Sequence, residues 1–366
     1  MPTSDDTDRQ YMRRALELAT NGLYSAHPNP RVGCVIVKND EVVGEGWHRK
    51  TGEVHAEVAA LEAADTAAVG ATAYISLEPC AHVGKTPPCV NALIEAGIVR
   101  LVVAMQDPNP RVAGKGLAMA KDAGITTSVG LLETDALRLN EGFVSRMTRG
   151  RPFVRLKIAA SLDGATAMKS GESQWVTGEE ARQDVQRLRA ASGAVLTGIE
   201  TVLRDDPSMN VRDGGLGDVS QQPVRVVLDS RLRMPTDSRM LGLAGKTLIF
   251  GAQSADGVAL HAAGAEIVKL ATVDSRPDLS AVLEHLAYME INDVLVETGP
   301  VLAGAFLTAG LVDELVIYQA PHIMGSETRR MVETPDLLGL DQRLNLRVID
   351  SSLVGNDTKL TLRPAI

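Results

Sequence analysis

The chain of 366 residues is longer than a typical domain, so two domains are expected, each able to bury its own core. Hydrophobic residues make up 45% and charged residues 23%, which excludes a disordered or fibrous protein. The net charge of −9 disfavours a nucleic-acid-binding protein, which usually carries a surplus of Lys and Arg. The acidic opening MPTSDDTDRQ lacks the basic and apolar regions of a signal peptide, so we expect a cytoplasmic protein.

The first half of the chain alternates helical and strand-like patterns. A helix is predicted over TDRQYMRRALELATNG, with Thr7 or Asp8 as its cap, and VGCVIV and EVVGEGWH predict a hairpin. A second helix is predicted from about His55 to Ala64. Further strands are predicted at TAYISLE, VRLVVAM and ITTSVGLL, separated by the helical patterns VNALIEAG and GLAMAKDAG. This alternation predicts a three-layer α/β domain whose sheet is partly parallel.

A domain boundary is predicted near residues 147–152. There LETDALRLNEGFVSRMTRGRP predicts a closing helix and then a Gly-Arg-Pro break, which gives domains at 1–148 and 151–366. The second domain is also predicted to be α/β, because helical patterns such as EEARQDVQRLRAAS and LSAVLEHLAYME separate most of its strands. Those strands are FVRLKIAASLDG, AVLTG, VRVVLDS, TLIFG, AEIVKL, DVLVETG and ELVIYQAP. The Gly-rich segment at 212–223 is predicted to be an exposed loop.

Three residues of the first domain have the chemistry of zinc ligands. In a reducing compartment three cysteines are not expected to form structural disulfides, so each is a small hydrophobe, a reactive thiol or a metal ligand. His55, Cys80 and Cys89 offer imidazole nitrogen and thiolate sulfur, which zinc prefers. Three protein ligands leave a fourth position for water, whose pKa zinc lowers to roughly 7. Cys34 lies within an apolar strand pattern, where packing is the favoured role.

Glu57 follows His55 at the spacing H-x-E, which is half of the motif of zinc nucleobase deaminases. The other half, P-C-x-x-C, is matched at Pro79 and Cys80, but eight residues instead of two separate Cys80 from Cys89. A carboxylate in this position can take a proton from the attacking water and deliver it to a leaving nitrogen. The competing interpretation is a structural zinc site, which would normally have a fourth protein ligand; His82 is a candidate ligand in the long intervening loop.

Several long motifs resemble one enzyme family. HPNPRVGCVIV, GEGWHRKTGEVHAEVAAL, LEPCAHVGKTPPC and MQDPNPRVAGKG are similar to the deaminase domain of bifunctional riboflavin-biosynthesis deaminase/reductases. LKIAASLDG, SGESQWVTG, TVLRDDPSMNVR and VETGPVLAGAFLTAGLVDEL are similar to their reductase domain. The resemblance implies a cytidine-deaminase-like three-layer domain followed by a dihydrofolate-reductase-like α/β domain.

The resemblance also implies the chemistry of the first domain. It implies hydrolysis of the 2-amino group of 2,5-diamino-6-(5-phosphoribosylamino)pyrimidin-4-one, with Glu57 as the acid/base. Asn29 and His48 are implied to line the pocket, and Lys85 is a candidate for the ribose phosphate. Asp107 and Asn109 are further pocket candidates, although their residue types also suit a plain turn.

For the second domain the resemblance implies NADPH-dependent reduction of the ribosyl group to ribityl. The strand, Gly-Pro turn and helix start in DVLVETGPVLAGAF can hold a pyrophosphate on backbone N–H groups. The implied NADPH contacts are Ala159, Trp175, Thr201, Asp205, Ser230, Gly299, Pro300, Val301, Leu302, Ala303, Gly304 and Ala305. The implied contacts to the ribosyl substrate and its phosphate are Ser173, Arg189, Met209, Arg212 and Glu297.

The proton step of the reduction stays open at this point, with Asp205 and Lys157 as candidates. Ala165 departs from the family, which usually has Lys or Arg after SLDG. A homodimer is expected, because members of the family often associate through the reductase domain.

Two other functions compete with the bifunctional enzyme. One is a nucleic-acid-editing deaminase with an appended domain, which the acidic balance and the 3% aromatic content disfavour. The other is a non-catalytic zinc module in which the metal only holds the fold.

Overall fold

The computed structural model describes residues 4–81, 88–212, 222–252, 256–273 and 275–365. The chain divides into two units, Met1–Arg151 and Pro152–Ile366, called here the N-terminal and C-terminal units. Within the described ranges, no helix combines the length and the apolar character that crossing a bilayer requires.

The N-terminal unit is built around one mixed sheet. Its helices are α1 (Ser4–Thr20), α2 (Ala56–Ala64), α3 (Cys89–Glu95), α4 (Lys115–Asp122), α5 (Glu133–Leu139) and α6 (Glu141–Arg149). Its strands are β1 (Gly33–Lys38), β2 (Glu41–Trp47), β3 (Thr72–Ile75), β4 (Arg100–Val103) and β5 (Thr126–Val129). In the described part of this unit the sheet order is β2-β1-β3-β4-β5. The β1-β2 pair is the predicted antiparallel hairpin, and the β3-β4 and β4-β5 pairs form the predicted parallel part of the sheet. The β1-β3 pair is antiparallel.

Alternating side chains of this sheet pack on helices at opposite faces. Cys34 and Ile36 of β1 belong to a buried cluster with α2, α3 and α4, whereas Val35 and Val37 belong to a cluster with α1 and α5. The period of two along a strand thus produces the predicted three-layer domain.

Two helix predictions in this unit are wrong in detail. Thr7 and Asp8 are not caps but lie inside α1, where the Asp8 carboxylate accepts hydrogen bonds from Tyr74 and Arg100. The single closing helix is interrupted at Asn140, between α5 and α6. The Asn140 side chain bonds both the N–H and the carbonyl of Arg31, an interaction between residues far apart in sequence.

The C-terminal unit contains a larger sheet. Its helices are α7 (Glu179–Ala190), α8 (Ile199–Asp205), α9 (Val258–Ala262), α10 (Leu279–Tyr288) and α11 (Pro300–Thr308). Its strands are β6 (Phe153–Ser161), β7 (Ala165–Ala167), β8 (Ala194–Gly198), β9 (Val224–Leu228), β10 (Thr247–Ala252), β11 (Ala265–Leu270), β12 (Thr272–Val273), β13 (Arg276–Pro277), β14 (Asp293–Glu297), β15 (Glu314–Ala320), β16 (Arg329–Arg330), β17 (Leu346–Val354) and β18 (Asp357–Pro364).

The main sheet of this unit has the strand order β11-β10-β9-β8-β14-β6-β15-β18-β17 in the described residues. Its pairs from β11 to β15 are parallel, and β18 is antiparallel to both neighbours. Helices α10 and α11 pack on one face and α7, α8 and α9 on the other. The carboxyl ends of β6, β8, β9 and β14 therefore meet at one edge, where ligands of α/β sheets usually bind.

The C-terminal hairpin β17-β18 has no counterpart among the predicted strands. It is joined at Gly355, whose φ of 62° is the left-handed conformation that glycine adopts readily. Of the Gly-rich segment predicted as a loop at 212–223, residues 213–221 lie outside the described residues.

Candidate functional site

The three predicted zinc ligands converge in the N-terminal unit. His55 is the N-cap of α2, Cys89 is the first residue of α3, and Cys80 lies after β3. Their donor atoms all lie within 4.8 Å of one another. His55 Nδ1 is 3.0 Å from Cys89 Sγ and 3.7 Å from Cys80 Sγ. One nitrogen and two sulfurs converging on one point match the ligand preference of zinc, so the residues fit this metal.

The thiols of this cluster differ in their surroundings. The hydrogen bond with Cys89 and the contact with His55 lower the pKa of Cys80 to about 4, despite opposing desolvation. The Cys89 N–H also donates to Cys80 Sγ at 3.3 Å. The same hydrogen bond, with burial, raises the pKa of Cys89.

Glu57 lies in the first turn of α2, beside the ligand cluster. It is only 3% exposed, and burial raises its pKa to about 7. Helix α2 approaches β2 closely, because a Cβ at Gly46 would lie 2.4 Å from the Ala56 carbonyl oxygen. The glycine thus allows the helix start that carries His55 and Glu57 to lie on the sheet. A buried carboxyl with this pKa can hold or release a proton at neutral pH.

Two predicted pocket residues border the same cluster. His48 is 3% exposed, and its ring lies edge-on to His55 with centroids 5.2 Å apart. His48 Nδ1 is 3.2 Å from the carbonyl of Val54, an acceptor, so this nitrogen carries the proton. Its Nε2 then accepts from Asn29 Nδ2 at 3.0 Å. Burial lowers the pKa of His48, which favours the neutral ring with this fixed tautomer.

The remaining candidates for this site are Asp107, Asn109, Lys85 and His82. Asp107 is buried, and burial raises its pKa to about 6, with Glu78 and Cys80 adding to the effect. Its Oδ1 accepts from the Asn109 N–H at 2.8 Å. Lys85 and His82 lie outside the described residues.

In the C-terminal unit, two grooves meet at the carboxyl edge of the sheet. The first, called the α11 groove, has a volume of about 760 Å³ and lies at the N-terminus of α11 and the end of β9. The second, called the Glu297 groove, has a volume of about 430 Å³ and lies over β6 and β14. Both are lined by Thr201, Arg204, Thr298, Gly299, Pro300 and Arg329, so the grooves are continuous.

The predicted NADPH contacts fall on these grooves with two exceptions. Those on the α11 groove are Thr201, Ser230, Gly299, Pro300, Val301, Leu302 and Ala305. Ala159, Trp175 and Asp205 line the Glu297 groove, as does Thr201. Ala303 and Gly304 line neither groove but are buried in α11. There a Cβ on Gly304 would lie 1.7 Å from the Glu333 carbonyl oxygen, so this glycine permits close packing of the helix.

Arginines that the sequence analysis did not predict also line the α11 groove. They are Arg204, Arg231, Arg233, Arg276 and Arg329. Asp229 lines the same groove at 0% exposure, and its Oδ1 has no hydrogen-bond partner among the described residues. Basic side chains and a helix N-terminus fit the phosphates of an anionic dinucleotide. The pattern DSRLR after β9 is the signal that could have revealed this loop.

All five predicted substrate contacts of this unit line the Glu297 groove: Ser173, Arg189, Met209, Arg212 and Glu297. Arg189 is buried and donates two hydrogen bonds to Glu297, from Nε at 2.6 Å and Nη2 at 3.1 Å. Its Nη1 donates to the Asn210 carbonyl at 2.9 Å. The Arg189 guanidinium is therefore engaged by the protein, and its paired donors face a carboxylate and not an open anion site.

Lys157 completes this buried charge cluster. The register of β6 and β14 places it opposite Glu297, with Nζ 4.0 Å from Oε2. Burial lowers the pKa of Lys157, although Glu297 opposes this effect. Burial acts to raise the pKa of Glu297, but Arg189 and Lys157 hold it below its ordinary value. Lys157 is thus a groove-lining ammonium that loses its proton more readily than a solvated one.

Ala165, where the resemblance leads one to expect Lys or Arg, lies in β7. Its side chain is 2% exposed in β7, so it presents no cation to the groove. Arg329, in the strand paired with β7, lines both grooves instead.

Comparisons with known proteins match both units. Residues 152–360 match the family described as RibD C-terminal domain. Residues 5–105 match the family described as cytidine and deoxycytidylate deaminase zinc-binding region. A riboflavin biosynthesis protein RibD of Escherichia coli is 47% identical over 97% of this chain and 99% of its own length. The chain belongs to the RibD family.

Solved structures agree with this membership. An Acinetobacter baumannii RibD structure is 45% identical to this chain in sequence and superposes with a TM-score of 0.94. The match covers 99% of this chain and 100% of that chain. A Thermotoga maritima diaminohydroxyphosphoribosylaminopyrimidine deaminase/5-amino-6-(5-phosphoribosylamino)uracil reductase is 32% identical with a TM-score of 0.88, covering 99% and 100%. The predicted fold class is confirmed in both halves. The RibD-family chain is a riboflavin-biosynthesis enzyme with a zinc-binding deaminase domain and a reductase domain that uses NADPH.

Proposed function

We propose that the N-terminal unit deaminates 2,5-diamino-6-(5-phosphoribosylamino)pyrimidin-4-one and that the C-terminal unit reduces the ribosyl group of the product. The final product is 5-amino-6-(5-phosphoribitylamino)uracil. The observation that carries the proposal is the convergence of His55, Cys80 and Cys89 beside the buried carboxyl of Glu57. The domain limits that we assign are 1–148 for the deaminase and 151–366 for the reductase.

His55, Cys80 and Cys89 would hold the zinc of the deaminase. When bound, the metal supplies Lewis acidity that favours deprotonation of water at neutral pH. Glu57 takes a proton from the attacking water on a carboxylate oxygen and returns it to the 2-amino nitrogen. The water oxygen adds to the ring carbon as the ring C=N bond opens and its nitrogen takes one proton; the bond to the 2-amino nitrogen then breaks, the carbonyl forms and ammonia leaves.

Asn29 and His48 orient the pyrimidine in this proposal. The neutral His48 ring is held by the Val54 carbonyl on one side and Asn29 on the other, so both side chains keep a defined orientation. Lys85 is proposed to bind the ribose phosphate, and Asp107 and Asn109 to contact the substrate. A polar pocket with settled hydrogen bonds selects a ring by the pattern of its donors and acceptors.

The α11 groove is proposed to bind NADPH, which supplies a hydride to C1 of the sugar. The Gly299 to Leu302 turn presents the N-terminus of α11 to the pyrophosphate, and Thr201 and Ser230 flank it. Trp175 and Ala159 line the Glu297 groove, which is continuous with the α11 groove. Ala303 and Gly304, which were predicted to contact NADPH, are proposed instead to pack α11 against its neighbours.

The ribosyl substrate is proposed to occupy the Glu297 groove. Arg212 contacts its phosphate there, while Arg189 holds the Glu297 carboxylate in place through the bidentate pair. Opening of the sugar ring requires a proton at the ring oxygen. Lys157 and Asp205 both line the groove and are the candidates for this step. Burial raises the pKa of Asp205 and lowers the pKa of Lys157, so each pKa moves toward neutral pH.

A homodimer and a cytoplasmic location belong to the proposal. The edge strand β17 is exposed along its length except at Val354, and its exposed apolar residues include Val348, Ile349 and Leu353. An apolar edge strand is a template for pairing with another chain, and we propose that a second copy of this chain pairs with it.

The cytoplasmic location is supported by the zinc ligands. Zinc binding by Cys80 and Cys89 needs reduced thiols, which a reducing compartment maintains.

The dimer is tested by the double substitution Val348→Lys and Leu353→Lys. Charges on this edge disfavour pairing, so light scattering after gel filtration should give the mass of one chain for the variant and twice that mass for the parent. Equal masses for the two proteins would contradict the assignment of this surface.

Both proposed reactions are tested in one assay, in which the protein is given the diaminopyrimidinone phosphate and NADPH. Ammonia release and NADPH absorbance are followed in the same sample. We expect one ammonia per substrate and NADPH oxidation that depends on prior deamination. Ammonia release from tRNA or single-stranded DNA would instead support a nucleic-acid deaminase, and absence of release from any of these substrates would support a structural zinc module.

A further inference from the structure

The carboxylate of Glu78 closes a loop of the N-terminal unit. Glu78 is 3% exposed, and its Oε2 accepts hydrogen bonds from the N–H groups of Asp107 at 3.2 Å and Gly114 at 2.9 Å. These two amides lie at opposite ends of the segment 107–114. A single oxygen atom therefore joins both ends of the loop that carries Asp107 and Asn109.

The other oxygen of Glu78 caps helix α4. Oε1 accepts from the Gly116 N–H at 3.0 Å and the Leu117 N–H at 3.2 Å. Both amides belong to the first turn of α4, where N–H groups lack partners within the helix. The N-cap residue is Gly114, which has no side chain to accept them. A carboxylate from a distant segment takes the place of the missing cap and also complements the helix dipole.

The same carboxylate is tied to a zinc ligand. Glu78 precedes Cys80 by two residues, and the intervening Pro79 packs against the start of α4. A Cβ at Gly116 would lie 2.1 Å from the Pro79 carbonyl oxygen, so the two backbones are in direct contact. The segment 78–80 and the loop 107–117 are therefore held at a defined separation.

We infer that Glu78 is a positioning residue of the deaminase site, which sets Asp107 and Asn109 relative to Cys80. The inference rests on the proposed deaminase function. Glu78 acts through the loop, because its two oxygens are occupied by four backbone amides. His55 and Glu57 are carried by α2, which is a separate element. Displacement of the loop therefore weakens substrate binding more than it slows the chemical step.

The test is Glu78→Gln in the full-length protein. The amide nitrogen of Gln faces two N–H donors, so two of the four hydrogen bonds are lost together with the charge. We expect the KM for the diaminopyrimidinone phosphate to rise about tenfold to a hundredfold, the range given by losing hydrogen bonds to a charged group. The kcat should stay within about threefold of the parent. Zinc content and reduction of separately supplied deaminated intermediate should not change.

The matched control is Asp8→Asn, which alters a half-buried carboxylate of the same unit that accepts hydrogen bonds from the side chains of Tyr74 and Arg100. It should lower thermal stability without raising KM. An unchanged KM in Glu78→Gln, or an equal KM rise in both variants, would overturn the inference. If the parent protein releases no ammonia, the proposed deaminase function fails instead.

A second measurement covers the case in which Glu78→Gln does not fold. In the parent, hydrogen exchange of the Asp107, Gly114, Gly116 and Leu117 amides should be slow, and in Glu78→Asp it should be faster with α2 unaffected. The shorter Asp cannot reach both ends of the loop, so its KM should rise too. Fast exchange of these amides in the parent, or an unchanged KM in Glu78→Asp, would overturn the inference.

Discussion

At the scale of single residues, Glu57 combines burial with a position beside the three zinc ligands. Burial raises its pKa to about 7, so both protonation states are accessible at neutral pH. A carboxyl group in this condition suits a residue that must first accept a proton and then donate it.

Glu57→Gln should retain zinc and lose deamination by roughly 10²- to 10⁴-fold, because Gln keeps the size of the side chain but cannot shuttle a proton. The measurement is ammonia release at saturating substrate, with zinc content determined on the same sample. Glu62→Gln is the control, since Glu62 lies on the same helix but is exposed. Activity of Glu57→Gln within a few fold of the parent would show that another group moves the proton.

Cys89→Ser should lose most of its zinc, because two remaining protein ligands do not retain the metal tightly. Elemental analysis of the purified protein measures this directly. Cys34→Ala is the matched control: Cys34 is buried in β1 and belongs to the apolar cluster under α2. A Cys89→Ser protein with a full complement of zinc would refute the ligand assignment, and zinc loss in Cys34→Ala would show that the cluster is sensitive to packing alone.

At the scale of elements, three strands of the large sheet are joined by one charge cluster. Glu314 of β15 is 6% exposed and accepts hydrogen bonds from Arg155 of β6 at 2.6 Å and Arg363 of β18 at 2.9 Å. Burial acts to raise the pKa of Glu314, but the two arginines hold it below its ordinary value of 4.5. The folded state therefore favours the ionised Glu314 carboxylate more than the unfolded state does.

Glu314→Gln should destabilise the C-terminal unit by about 3 kcal/mol, since two arginines lose their shared anion. At neutral pH this corresponds to a fall of about 10 °C in the unfolding temperature. A depressed pKa stabilises the fold above the ordinary carboxyl value, and this contribution disappears as the pH falls through the folded-state pKa. The difference between parent and variant should therefore shrink below pH 4.5. Calorimetry across pH checks this, and a constant difference would contradict it.

Much of the element order could be predicted from the sequence because alternating and helical periodicities are local signals. The hairpin of β1 and β2, the start of α2 at His55 and the strands around Glu297 all follow from such patterns. The interruption at Asn140 could not be predicted, because it depends on hydrogen bonds to Arg31. The arginines of the α11 groove were missed for a related reason: loops far apart in sequence bring them together.

The motifs located the candidate sites better than they defined the role of each residue. Residue types and spacing were enough for His55, Cys80 and Cys89, because ligand chemistry is a property of each side chain. The resemblance implies that Arg189 contacts the ribosyl substrate and its phosphate, but its guanidinium already pairs with Glu297. Sequence shows which groups a residue carries, whereas only the packed structure shows which partners have already engaged them.

At the scale of the whole molecule, the RibD-family chain carries each candidate site within one unit. The zinc cluster and Glu57 lie in the N-terminal unit, and both grooves lie in the C-terminal unit. Each unit has buried clusters of its own. We therefore expect two active sites that work on successive substrates and that can be disabled separately.

This claim is tested most directly by measuring both half-reactions in Glu57→Gln and Arg212→Ala, with the deaminated intermediate supplied separately for the NADPH assay. Arg212 is exposed at the Glu297 groove, so its removal should leave the fold intact. We expect Glu57→Gln to lose ammonia release but to oxidise NADPH at the parental rate, and Arg212→Ala to show the reverse. Loss of both reactions in either variant, with zinc content and thermal unfolding unchanged, would contradict two separate sites and indicate one shared site.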